Sequence, residues 1–210
     1  MDKPRVKRIL SLLEREYPRP RCALRFDNPL ELLIATILSA QCTDARVNEV
    51  TASLFRLHRT ARDYAELPLS QLEEEIRPTG FFRNKAKAIR SCCAVIVRDH
   101  TGEVPSTMDE LVKLPGVGRK TANMVLAEAF GIPGLVVDTH VSRLARRLGL
   151  TQTTQPHQIE QDLMQIMPPD QWNTFSLRLI HHGRAVCKAR RPHCERCALV
   201  RSCPEGLARI

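Results

Sequence analysis

An all-α fold is predicted by three features of the 210-residue chain. Apolar residues recur at helical spacing in one segment after another, as in Val6, Ile9, Leu10 and Leu13, or Val141, Leu144, Ala145 and Leu148. These segments are opened by capping residues and closed by proline or glycine. Alternation of strand type is almost missing: Leu135-Val136-Val137 is the one short candidate, and it reads as buried extended chain leading into a helix.

The elements follow in order. Residues 4–16 place Val6, Ile9, Leu10, Leu12 and Leu13 largely on one face, an amphipathic helix with a basic outer side that the YPRPRC segment ends. Asn28-Pro29 opens LELLIATILSAQCT, which is apolar nearly all round, the pattern of a central buried helix. Asp44 is expected to cap the next helix, with Val47, Val50, Leu54 and Leu57 inside. Ser70 and Glu73 read as a capping box for another, broken at Pro78-Thr79-Gly80. Asn84 is expected to cap a helix with Ala86, Ile89, Cys93, Ile96 and Val97 inward and Lys85, Lys87 and Arg90 outward. Ser106 and Thr107, with Asp109 and Glu110, open a helix that Pro115 ends, and the helix after it is closed by Gly131. Beyond the GIPG linker, Asp138 caps a helix ending at Gly149, Pro156 starts one with Ile159, Leu163 and Ile166 inside, and Trp172, Phe175 and Leu179 mark the last long helix, to His182-Gly183.

Hydrophobic residues at 43% and charged residues at 26% are those of a folded globular chain, and no apolar run reaches the ~18 residues of a membrane span. A soluble protein is expected. The 32 Lys and Arg against 23 Asp and Glu leave a formal +9, the electrostatic footprint of a nucleic-acid binder, while 4% aromatic residues do not indicate a platform for stacking single strands. The N-terminal residues lack the apolar core of an export signal, so the eight cysteines point to a reducing compartment rather than disulfides. Cys22, Cys42, Cys92 and Cys93 are scattered through the first half, whereas four cysteines crowd into the last 24 residues.

Two stretches carry chemistry. In Leu114-Pro115-Gly116-Val117-Gly118-Arg119-Lys120-Thr121-Ala122, a helix stops at a glycine turn and a second helix starts with basic residues in its first turn. Gly116 and Gly118 are expected to permit backbone angles and close approaches that a Cβ forbids. Successive turn amides followed by free N–H groups at a helix start attract a phosphate without reading a base. Lys120 lies where the helix dipole disfavours a cation, which points to a phosphate partner or to a chemical task. The second stretch is Cys187-x6-Cys194-x2-Cys197-x5-Cys203, four thiolates able to close around one soft metal centre. Zinc and an iron–sulfur cluster use the same four ligands, so ligand type leaves both open. Lys188, Arg190, Arg191, His193 and Arg196 make that loop strongly basic.

Five segments, LSAQCTD, LPGVGRKTA, VDTHV, HGRxxC and the cysteine loop, resemble the endonuclease III family of helix-hairpin-helix DNA glycosylases, over nearly the whole chain. The resemblance implies a two-domain helix-hairpin-helix DNA glycosylase fold with a C-terminal iron–sulfur cluster loop. A six-helix domain would span residues 22–132, and a discontinuous cluster domain would join residues 1–21 to 133–210. The family's DNA groove lies between the two, which would put Lys120 and Asp138 on opposite lips. It further implies a [4Fe–4S] cluster on Cys187, Cys194, Cys197 and Cys203, in place of zinc. The implied activity is that of a bifunctional glycosylase and abasic-site lyase acting on damaged pyrimidines.

By the same resemblance Lys120 is the nucleophile and Asp138 its carboxylate partner, although Lys120 also suits plain phosphate binding and Asp138 suits a plain N-cap. An amine attacks only when unprotonated, which burial at the helix start beside Arg119 would favour. Excision from a duplex requires base flipping, and Gln41 and Phe81 match the positions that fill the hole, some members having leucine where Phe81 stands. Phe81 also suits a core aromatic after a turn. Gly116, Val117, Gly118, Arg119, His140, Lys188, Arg190 and Arg191 are the remaining expected DNA contacts, and the pair His181-His182 reads as structural. The expected partner is damaged double-stranded DNA, bound by a monomer away from any membrane, in the cytoplasm and on the nucleoid if the source is bacterial. A monofunctional glycosylase of the same fold, a non-catalytic DNA-binding module with a zinc knuckle, and an iron–sulfur redox sensor are the alternatives.

Overall fold

The computed structural model describes residues 3–210 and contains α-helices, short 3-10 turns and no strand among them. The chain forms two compact units, Cys22–Ile132 and Met1–Arg21 with Pro133–Ile210, each with its own apolar core.

Cys22–Ile132 is built on α2 (Pro29–Leu38), whose residues Leu32 to Leu38 are all buried, as an all-round apolar segment requires. The Asn28 side chain accepts the Glu31 N–H at 3.0 Å and Pro29 takes the first helical position. α3 (Asp44–Leu57) is capped by Thr43 rather than Asp44: Thr43 has the extended backbone and its hydroxyl accepts the Arg46 N–H at 3.3 Å. Leu57, expected inside, is 65% exposed, because the chain leaves the helix at His58. α4 (Ala61–Glu66) is a seventh helix where six were expected, started by a Thr60–Asp63 capping box. α5 (Leu69–Glu75) begins after Pro68, so Ser70 is already helical and its expected box with Glu73 does not form.

A 3-10 turn, Arg77–Thr79, leads through Gly80 into α6 (Phe82–Asp99). This helix starts two residues before Asn84, with Phe81 at the cap position, so Asn84 is not a cap. Ala86, Ile89, Cys93 and Ile96 face the core as expected and Val97 is only half-buried. Lys85, expected outside, is buried. α7 is a single turn, Met108–Leu111, capped by Thr107, and α8 is Arg119–Ala129. Gly131, at φ +65°, ends α8, and the following Ile132 N–H bonds back to the Leu126 carbonyl at 3.0 Å.

The other unit holds α1 (Lys3–Glu16), α9 (Thr139–Arg147), α10 (Pro156–Met164), α11 (Trp172–Ala185) and the single turn α12 (Pro204–Leu207). α11 packs against α1 and α9 around Ile9, Leu13, Leu144, Phe175 and Leu179. Leu135–Val137 is buried extended chain. α11 continues two residues past Gly183, because Gly183 is helical and serves a close approach: a Cβ there would lie 2.8 Å from His140 Nδ1. No helix among the described residues is long and apolar enough to cross a membrane.

Candidate active site and cysteine loop

The two glycines of the hairpin do different work. Gly116 has φ +78°, and an added Cβ would lie 2.8 Å from the Ala88 Cβ of α6, so the turn is both left-handed and pressed on a helix. Gly118 has φ −92° with open space around its absent Cβ, so neither reason expected for it applies. Val117 is buried between them and anchors the turn, its N–H bonding the Leu114 carbonyl at 3.1 Å. Gly118 supplies no side-chain cap, and the first turn of α8 contains no acid. A positive helix end therefore opens beside Arg119 and Lys120, both exposed. Lys120 is thus exposed, where burial at the helix start was expected.

Gln41 and Phe81 share an unusual backbone. Only three non-glycine residues among those described have positive φ, and these are two of them, at 52° and 48°. Both are exposed, Phe81 at 63%, which removes the core-aromatic alternative. Its neighbour Phe82 is the one that packs on the core, with the Arg77 and Arg83 guanidinium groups 5.3 and 5.5 Å from its ring centre.

In the other unit, Asp138 is the N-cap of α9, its Oδ1 accepting the Val141 N–H at 2.8 Å. Its second oxygen has no protein partner among the described residues, so capping and a chemical role are compatible. His140 is half-buried, its Nδ1 3.1 Å from the Arg143 guanidinium, and burial lowers its pKa against the opposing pull of Asp138. Arg143 and Arg147, one turn apart on α9, were not singled out from the sequence. Arg143 donates to the Gly183 and Cys187 carbonyls at 3.1 and 3.0 Å, and Arg147 to those of Lys188 and Ala189 at 2.8 and 2.9 Å. Arg143 stands two residues after the VDTHV segment, and two arginines four apart on one helix are the signal that the sequence offers.

Cys187, Cys194, Cys197 and Cys203 line one recess, together with Val186, Pro192 and Val200. Among the described residues no three metal-ligating side chains converge as they would on a single ion. A tetrahedral zinc with bonds of about 2.3 Å holds its sulfurs within about 4 Å of one another. Four thiols around one shared recess are a donor set for a soft metal centre, and their ligand type serves zinc and an iron–sulfur cluster alike. Nitrogen groups lie against the sulfurs: Arg147 donates to Cys187 at 3.3 Å and the Gly206 N–H to Cys203 at 3.2 Å, and His182 Nε2 is 3.3 Å from Cys197. Burial pushes the Cys197 thiol up to about 11 and raises that of Cys203, each with a smaller push from the other loop thiols. Ionising Cys197 and Cys203 is thus unfavourable until a cationic centre offsets their charge. The donor set fits such a centre. Lys188, Arg190 and Arg191 all lie exposed on the loop.

His182 is structural, as expected. It is buried, with Nδ1 3.1 Å from the Tyr17 hydroxyl and Nε2 3.3 Å from the Cys197 sulfur, and burial pushes its pKa down to about 4, which keeps the ring neutral. His181 donates to the Arg21 carbonyl at 3.2 Å.

The chain is similar to known proteins along nearly its whole length. Residues 34–169 match the HhH-GPD superfamily base excision DNA repair protein family. Endonuclease III of Synechocystis sp. is 53% identical over 207 residues, 98% of this chain and 94% of that protein. A solved non-covalent endonuclease III–DNA complex superposes with a TM-score of 0.95 at 46% identity, covering 100% of this chain and 98% of that one. A trapped endonuclease III–DNA covalent intermediate, an estranged-adenine complex, gives the same TM-score and identity, covering 100% and 99%. On this agreement of sequence and fold over the full length, the chain belongs to the endonuclease III family within the HhH-GPD superfamily of base excision DNA repair proteins.

Proposed function

We propose that this protein excises oxidised or otherwise damaged pyrimidines from duplex DNA and cleaves the resulting abasic site by β-elimination. The observation that carries the reading is Lys120 at the uncapped, acid-free start of α8, directly after the Gly116–Gly118 turn. The Lys120 amine, once unprotonated, attacks C1′ of the flipped nucleotide, the glycosidic bond breaks and the base leaves with its electron pair and a proton. The C1′–O4′ bond then breaks as O4′ takes a proton from solvent, leaving a hydroxyl on C4′ and an iminium between Lys120 Nζ and C1′. Loss of a C2′ proton then expels the 3′ phosphate, and water releases the amine. Asp138, holding α9 with one carboxylate oxygen, offers the other to the positive charge that develops on the sugar.

DNA phosphates are held by the hairpin amides of Gly116, Val117 and Gly118, with Arg119 beside them, and by Lys188, Arg190 and Arg191 on the cysteine loop, His140 lining the site. The bare Cα of Gly118, which no protein atom requires, leaves room for a phosphate. Gln41 and Phe81 fill the hole left by the extruded nucleotide. Cys187, Cys194, Cys197 and Cys203 hold a [4Fe–4S] cluster, which shapes the basic loop and takes no part in the reaction. The trapped covalent DNA intermediate of a relative at 46% identity supports a covalent protein–DNA step.

Borohydride added during reaction with an oxidised-pyrimidine duplex should trap a covalent protein–DNA adduct. Lys120→Gln should abolish the adduct while duplex binding persists; undiminished trapping in that variant would remove the assignment.

A further inference from the structure

Lys85 is only 5% exposed. Its ammonium donates to two carbonyls, those of Leu38 and Thr79, each at 2.8 Å. Each carbonyl belongs to the last residue of a helical element, α2 in one case and the 3-10 turn Arg77–Thr79 in the other. These are acceptors that their own helices leave unsatisfied, at the end where a cation is favoured. One ammonium therefore caps two elements that are 41 residues apart in sequence (79 − 38).

The position of those caps matters. Leu38 stands three residues before Gln41 and Thr79 two before Phe81, the two exposed residues with left-handed backbones. A non-glycine residue keeps such a conformation only where its surroundings over-determine it. Three residues further along α6, Ala88 meets the hairpin at Gly116. A single turn of α6 thus fixes the loops of Gln41 and Phe81 and the hairpin. α2 and α6 already share one apolar core, and a buried charge adds little stability to such packing, so its aim at these two carbonyls calls for another reason.

The geometry points to Lys85 as a positioning residue for base extrusion: its ammonium clamps the Gln41 and Phe81 loops to one another and sets the separation at which their side chains enter the duplex. This rests on the gap-filling reading of Gln41 and Phe81 given above. The test compares Lys85→Met, Lys85→Gln, the double variant Gln41→Ala/Phe81→Ala, and the triple variant that adds Lys85→Met. Each is assayed for excision from an oxidised-pyrimidine duplex and for cleavage of a single-stranded abasic oligonucleotide, which leaves no hole to fill. Thermal melting monitors the fold.

Lys85→Met should lower duplex excision by about 10²-fold, as misplacement remote from the chemistry does, and leave single-strand cleavage unchanged. Lys85→Gln, retaining a neutral donor for one carbonyl, should fall between, and it carries the test if the methionine variant does not fold. In the Gln41→Ala/Phe81→Ala background, Lys85→Met should cost nothing further, since groups acting through one another are non-additive. Equal losses on both substrates, or a full additional loss in the triple variant, would overturn the proposal. If the double variant itself excises at the wild-type rate, the gap-filling reading is what fails, and the role of Lys85 falls with it.

Discussion

Replacing Gly116 by alanine tests how the hairpin is seated. At φ +78° an alanine gives up about 1 kcal/mol or more for the left-handed backbone. Its Cβ would also lie 2.8 Å from the Ala88 Cβ, about 1 Å inside a comfortable carbon–carbon contact. Overpacking of this kind costs about 1–3 kcal/mol, because α6 is held by its own core contacts and the hairpin must move instead. The sum, about 2–5 kcal/mol, corresponds to a fall in melting temperature of roughly 5–15 °C for a chain of this length. Gly118→Ala supplies the control: with φ −92° and open space around it, it should change stability by no more than about 1 kcal/mol, yet weaken duplex binding if a phosphate occupies that space. Circular dichroism melts of the two variants, and of Gly116→Ala combined with Ala88→Gly, measure the terms separately. Ala88→Gly alone costs about 1 kcal/mol of helix propensity but removes the atom that is struck, so the combination should melt above the sum of the singles. A Gly116→Ala protein melting within about 2 °C of the parent, or simple additivity with Ala88→Gly, would refute the packing argument.

Asp138→Asn keeps an oxygen for the Val141 N–H, so melting should be unchanged, whereas base excision should slow by about 10²–10³-fold and cleavage of a preformed abasic site much less; equal losses would mean that the carboxylate acts through Lys120. Protein purified anaerobically should contain about four irons per chain and little zinc, and Cys194→Ser should lose iron and duplex affinity while the helical content stays; one zinc and no iron would contradict the cluster. Asp63→Ala should destabilise by about 1 kcal/mol at neutral pH through loss of the capping box. The Thr60 and Arg59 N–H groups hold the Asp63 carboxyl below the usual carboxylate range, so its contribution is present above the unfolded value and lost as pH falls through the folded one. The stability gap between parent and variant should therefore narrow on acidification, and a constant gap would contradict this.

Much of the fold was legible because helices announce themselves locally. The spacing of Val141, Leu144 and Ala145, the Asp138 cap and the stop at Gly149 all lie within a dozen residues and hold in the structure. So do the all-apolar α2 and the Asn28-Pro29 start. Caps were less certain where two candidates adjoin: Thr43 displaced Asp44 because only one residue at a helix start takes the extended backbone. The site was legible as residue types in motifs, the LPGVGRKTA turn and the four cysteines, and its family followed from those words.

By itself the sequence determined an all-α chain, most of its helix boundaries, and the gathering of four thiols in one basic loop, since each depends on residues near one another in the chain. The tertiary structure alone decided which glycine of the hairpin is sterically required, that Phe81 stands in solvent while Phe82 packs, and that Lys85 lies inside. Lys85 has the spacing of an outward residue beside Ala86, and its partner carbonyl at Leu38 is 47 residues away. A helical period reports only the average direction of the core, whereas the burial of one ammonium depends on two distant helix ends converging on it.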